Sequence, residues 1–249
     1  MGWAARNRRA VVMLVAGLCL CAYVKMPSVP REDRYPDAAT AVDAMLAGSG
    51  HEAAREALRS HLMWIEPATI VRRIAALGYR IDVNERPRDG HWFIPGDLDY
   101  YGGFTWSFRR LIVVSELVRN PANGEWFPNR QLDEAVDHEI GHALDADIDG
   151  SESAAFVYAW RMDFAEIPVD MTTSYSRNGS FNMFRYFTYS ENGDYARARR
   201  ETFAESYTVL LKGDGSRSAA LFRKYFPRTL AVERKALESR YGRLFPPAD

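Results

Sequence analysis

The sequence predicts an α+β domain, mainly helical, with a small β-sheet ahead of a polar-faced helix. Three observations predict it. Apolar residues recur at helical spacing from Ala38 to Gly78 and again from Gln131 onward. Between these stretches, Tyr79–Val83 alternates as a half-buried strand and Arg110–Ser115 is a short β-branched run that reads as another. At 249 residues, with 47% hydrophobic and 26% charged positions, the chain can bury one good core and needs no more than one principal domain.

The first segment reads as an export signal. Arg6, Arg8 and Arg9 precede the apolar run Ala10–Val24, so residues 1–25 have the form of a signal peptide or an uncleaved signal anchor. Both cysteines, Cys19 and Cys21, fall inside that run, which leaves the folded part without a disulfide. Residues 26–36 are Pro-rich and charged and read as a tether, and residues 37–249 as the folded domain. The expected location is extracytoplasmic, secreted or periplasmic, with membrane contact only through the N-terminal segment if it stays attached. Net charge is -1; setting aside the four basic residues of positions 1–30, which hold no acid, 28 basic face 33 acidic residues. That balance argues against a nucleic-acid partner. A monomer is expected.

The elements follow in order. Residues 37–78 are expected to be all-helical: Ala38–Leu46 ended by Gly48, Glu52–Trp64, then a helix opened by Pro67 with Ile70, Val71, Ile74 and Leu77 inside and Gly78 closing it. Two strands, Tyr79–Val83 and Arg110–Ser115, flank Tyr100–Trp106, which reads as a strand interrupted by a glycine bulge. Leu132, Ala135, Val136, Ile140, Ala143 and Leu144 then define the apolar stripe of a helix. Ser151 can cap a helix through Phe164, and Ala196–Lys212, stopped by Gly213, Ser218–Phe226 and Leu230–Tyr241 complete the set. Pro168–Asp194 shows no period.

Chemistry enters on the polar side of the Gln131 helix. His138-Glu139-Ile140-Gly141-His142 places two imidazoles one helical turn apart, able to meet one ion, with Glu139 beside a metal-bound water. A catalytic zinc needs three protein ligands and an open position, and the adjacent carboxylate serves as the base. Gly141, between the ligands, would let another segment approach closely. The elongated motif with a glycine and a third histidine is excluded, because Asp145 and Ile148 occupy those positions. Glu201 and Glu205, one turn apart on a later helix, offer a third ligand in Glu201 and an outer partner for a ligand histidine in Glu205. The bland alternative is a polar helix face with two histidines and a solvated Glu pair near Arg197 and Arg200. His51, His61 and His91 read as surface or cap residues, and Asp145 and Asp149 as groups that orient a histidine or cap the helix.

The pairing of His138-Glu139-Ile140-Gly141-His142-Ala143-Leu144-Asp145 with Glu201-Thr202-Phe203-Ala204-Glu205 resembles the catalytic domain of anthrax lethal factor and its relatives, Glu-ligand zinc endopeptidases. The resemblance spans Tyr100–Tyr241 and is specific at these two motifs. It implies a zincin-like metallopeptidase fold, Zn2+ as cofactor, His138, His142 and Glu201 as ligands, Glu205 as their outer partner, and Glu139 as catalytic base. It also implies an oxyanion-stabilising tyrosine shortly before the third ligand, with Tyr195 the first candidate and Tyr175 the second. The spacing of 59 residues from His142 to Glu201 exceeds the family pattern, so Pro168–Asp194 reads as an insertion.

The resulting expectation is a zinc-dependent endopeptidase acting on a peptide or protein substrate, with a substrate strand pairing along the sheet edge near Tyr101–Val114. Two other readings stand beside it. One is a zinc amidase on a cell-wall bond, which would use the same residues. The other is a non-catalytic extracytoplasmic binding module with a structural or vestigial metal, using the N-terminal helices and the aromatic run Phe181–Phe187.

Overall fold

The computed structural model describes residues 34–46, 51–65, 68–87, 89, 102–120, 123–168, 187–188, 190, 193–243 and 245. All belong to one compact unit, Arg31–Asp249. The expected signal segment, His91, Tyr175 and most of the Phe181–Phe187 run lie outside the described residues.

The architecture is α+β. Helices α1 (Ala38–Met45), α2 (Glu52–Met63) and α3 (Thr69–Ala76) come first. Asp37 starts α1 by accepting a hydrogen bond from the Thr40 amide at 2.7 Å, an N-cap that satisfies one of the helix's free donors. Gly78 ends this part with φ +84°, a left-handed conformation that costs a glycine little and turns the chain into the sheet.

Strand β1 (Arg80–Asn84) runs parallel to β3 (Leu111–Ser115), which pairs antiparallel with β2 (Gly103–Trp106), in the order β1-β3-β2. The central strand is buried throughout. Ile112 and Val114 enter the main core, whereas Leu111 and Val113 pack on the other face under Phe104 and Trp106. The strand expected over Tyr100–Trp106 is seen from Gly103 onward. A second ribbon, β4 (Leu117–Arg119) with β5 (Trp126–Pro128), was not signalled by the sequence. Three-residue strands are too short for a period to register.

The remaining elements are α4 (Leu132–Ile148), α5 (Ala154–Glu166), α6 (Ala196–Lys212), α7 (Ala219–Tyr225) and α8 (Pro227–Tyr241). Val136, Ile140, Ala143 and Leu144 are fully buried, as the stripe on α4 anticipates, and each larger one contributes about 1.5–3 kcal/mol of burial. Two boundaries differ from expectation. Ser153, not Ser151, caps α5, accepting from the Phe156 amide; Ser151 instead donates its N–H and hydroxyl to Asp145, both at 2.7 Å. Helix α8 begins at Pro227 rather than Leu230, because proline suits a first turn and the buried Asp163 of α5 accepts from the Thr229 amide and hydroxyl at 2.8 Å each.

Buried charge ties the N-terminal helices to α4. Arg73 of α3 pairs with Asp147 at 2.8 Å, and the Tyr241 hydroxyl of α8 donates to the same carboxylate. On α8, Glu233 is fully buried. Burial, with Asp145 adding like charge, holds its carboxyl well above the usual range, and the Ser206 hydroxyl opposes this only in part. The unfolded chain gives up this proton at an ordinary carboxyl pKa while the folded chain keeps it, so this contribution to stability is full below that value and lost as pH rises toward the folded pKa. Glu233→Gln, which cannot ionise, should therefore raise the thermal midpoint at pH 8 and change it little at pH 4. Melting curves at both values check this; an equal shift at both would assign the effect to packing.

Candidate metal centre

On α4, positions 138 and 142 share one face, and the two imidazole rings stand 4.9 Å apart and nearly perpendicular. Opposite them, α6 presents Glu201 and Glu205 one turn apart. The two helices meet through their smallest residues. A Cβ on Gly141 would come within 2.6 Å of the Ala204 Cα and 2.7 Å of its carbonyl oxygen, so α4 and α6 touch backbone to backbone. Phe203 closes the same contact over Gly150, whose missing Cβ leaves room for its ring.

That close approach brings the Glu201 Oε2 to 3.3 Å from His138 Nε2 and 3.2 Å from His142 Nε2. Among the described residues these three side chains form a group whose ligand atoms all lie within 4.8 Å of one another. Zinc–ligand bonds near 2.0–2.1 Å in a tetrahedron place ligand atoms about 3.3–3.4 Å apart, so two of the three edges already match a zinc face. Two imidazole nitrogens and one carboxylate form a donor set suited to zinc.

Outer partners orient the ligands. Glu205 Oε2 lies 2.9 Å from His138 Nδ1, so Nδ1–H can donate to that carboxylate and Nε2 is the nitrogen available to an ion. Burial disfavours a charged His138, but the hydrogen bonds to Glu201 and Glu205 outweigh it and hold its pKa well above the ordinary value. Burial would likewise raise Glu201, yet the two histidines hold it well below the usual range; Glu205 is lowered by His138 against the same burial. The convergence that attracts a proton here is the one that attracts a cation.

Glu139 is buried beside this group, and its Oε2 has no hydrogen-bond partner among the described residues. Burial raises its carboxyl pKa despite the pull of His142 and His138. Strand β2 lies directly over it. A Cβ on Gly103 would fall 2.7 Å from Glu139 Cγ, and the Thr105 hydroxyl donates to the Glu139 main-chain carbonyl at 2.9 Å. The Gly102-Gly103 pair, read from the sequence as a bulge, is the signal that a backbone passes close to something here.

Other residues fall as follows. Tyr195 stands at the head of α6 with its ring 5.4 Å from those of both Trp160 and Phe164. Asp145 is bound to Ser151 and ties the last turn of α4. His61, read as a surface or cap residue, instead lies 2.8 Å from Oδ1 of the fully buried Asp137, which Lys212 approaches at 3.5 Å. No local sequence signal marks that link, because its partners are 76 and 75 positions apart along the chain.

No protein-family model matches the chain, and no curated protein matches it in sequence. Among solved structures, the Pro-Pro endopeptidase PPEP-2 from Paenibacillus alvei is similar at a TM-score of 0.48 and 14% identity, over 79% of this chain and 99% of that one. The fold class and the site described above rest on this chain's own elements.

Proposed function

We propose that this chain is a zinc-dependent endopeptidase that hydrolyses peptide bonds outside the cytoplasm. The observation that carries the reading is the convergence of His138, His142 and Glu201 at ligand spacing, with the buried Glu139 carboxylate next to them. The resemblance of the two motifs to Glu-ligand zinc endopeptidases supports the same assignment, and the basic, then apolar N-terminal run supports export.

A bound zinc ion would supply Lewis acidity and lower the pKa of a water in its open position toward neutrality. His138, His142 and Glu201 would hold the ion, and Glu205 would keep His138 in the tautomer that can bind it. Glu139 takes the proton of the attacking water and returns it to the leaving amine. Among the described residues β2 pairs with β3 on one side only, so an extended peptide can add to its other edge and lie across Glu139. A hydroxyl donor for the oxyanion comes from Tyr195 or Tyr175.

The direct test is metal per chain, measured by elemental analysis on the full chain after zinc loading, with Glu201→Ala beside it. One equivalent in the wild type is expected. Loss of a ligand should cost more affinity than the roughly 10–100-fold that loss of an outer partner costs. Unchanged zinc in the variant would remove Glu201 from the ligand set. A zinc-loaded protein that cleaves no member of a peptide library would turn the assignment toward the cell-wall amidase or the non-catalytic module.

A further inference from the structure

The metal-facing stripe of α6 does not end at its ligands. Glu205, Glu201 and Arg197 follow one another at intervals of four residues, so they stack along one face of the helix. Along that stripe the side chains pass from 16% exposed at Glu205 and 11% at Glu201 to 54% at Arg197. Arg197 thus stands where the ligand row reaches solvent. Its Nε lies 3.9 Å from Glu201 Oε1, the carboxylate oxygen that faces away from the two histidines.

From this arrangement we infer that Arg197 is a specificity-determining residue at the mouth of the site, selecting peptides that carry a carboxylate close to the scissile bond. The inference rests on the peptidase reading. The contact with Glu201 is long, and an ion pair with one exposed partner is weak, so the guanidinium can turn to a better anion. A carboxylate offers that anion, because the planar fork of arginine matches it in two parallel hydrogen bonds.

The geometry also limits where that carboxylate sits. Four residues separate Arg197 from Glu201, about 6 Å along the helix axis, and an extended peptide advances about 3.3 Å per residue. For a peptide that passes along α6 at this point, the acidic residue falls within two positions of the bond that is cut. Arg197 contributes nothing to metal binding in this scheme, and its exposure makes it replaceable without loss of packing.

The test uses the full zinc-loaded chain and a peptide library in which Glu or Gln is fixed at each of the two positions on either side of a varied bond. Wild-type protein should favour Glu over Gln at one of these positions by roughly threefold to fivefold, the scale of a partly exposed ion pair. Arg197→Met should bind one zinc and lose that preference, and Arg197→Glu should favour Lys at the same position. The same peptides, labelled and bound to zinc-loaded Glu139→Ala protein, give a second readout by fluorescence anisotropy that does not depend on turnover. A Glu preference in binding that disappears with Arg197→Met upholds the Arg197 site even where wild-type protein cleaves nothing, an outcome that would overturn the peptidase reading alone. Equal binding of Glu and Gln peptides, or a preference that survives Arg197→Met, overturns the Arg197 assignment whatever the wild type cleaves.

Discussion

Glu139→Ala is expected to leave zinc bound at one equivalent per chain while peptide turnover falls by about two to four orders of magnitude, the usual contribution of a positioned general base. The separation follows from the geometry. Glu139 is not among the three residues whose ligand atoms converge, yet it is buried beside them, with a carboxyl whose pKa burial raises toward the range where a base can both accept and return a proton. Elemental analysis and a kcat measurement on the same preparation check both halves. Turnover within threefold of the wild type would assign the base elsewhere, and loss of zinc would make Glu139 a ligand.

Gly141→Ala should produce the second large effect, and through packing alone. Its added Cβ would meet the Ala204 Cα at 2.6 Å, a backbone atom that no rotamer change can move aside. Overpacking of this kind typically costs about 1–3 kcal/mol, against which alanine recovers about 1 kcal/mol of helix propensity. The more telling consequence is at the site. Helix α6 must retreat, which stretches the 3.2 and 3.3 Å separations between Glu201 and the histidines. Zinc affinity is therefore expected to fall at least about tenfold, as when a ligand's support is lost. Competition with a chromophoric chelator measures this, and a denaturant titration reports the stability. Unaltered affinity would mean that the two helices are held at their spacing by something other than Gly141 and Ala204.

Much of this is legible in the sequence itself. The stripe on α4 puts Val136, Ile140, Ala143 and Leu144 in the core because a 3.6-residue period needs only local sequence to be seen. The ligand pair on α4 is equally local, one turn apart. The role of Gly141 was visible as a demand for space, though not what would fill it. Ala204, His61 with Asp137, and Thr105 with the Glu139 carbonyl were invisible, since each joins segments tens of residues apart and no residue involved is unusual where it stands. The shift of the α5 cap from Ser151 to Ser153 has another cause. Both serines are acceptable caps, and the buried Asp145 decides between them by claiming the first. Tyr195 had only its position before Glu201 to recommend it, and in the fold its ring lies tilted against those of Trp160 and Phe164.

The separation of 59 residues between His142 and Glu201 bears on the order in which the candidate site is assembled. Helix α4 alone offers two nitrogen donors, enough for a loose encounter with an ion. The third candidate ligand arrives only when the segment that contains α5 has let Ala204 settle on Gly141, a contact of high sequence separation. A nascent chain cut short before α6 can carry no complete ligand set, however well its earlier helices and sheet have formed. On the metallopeptidase reading, ion uptake would then wait for α6 to dock on α4, and a tightly held ion would mark that these two helices have reached their native arrangement.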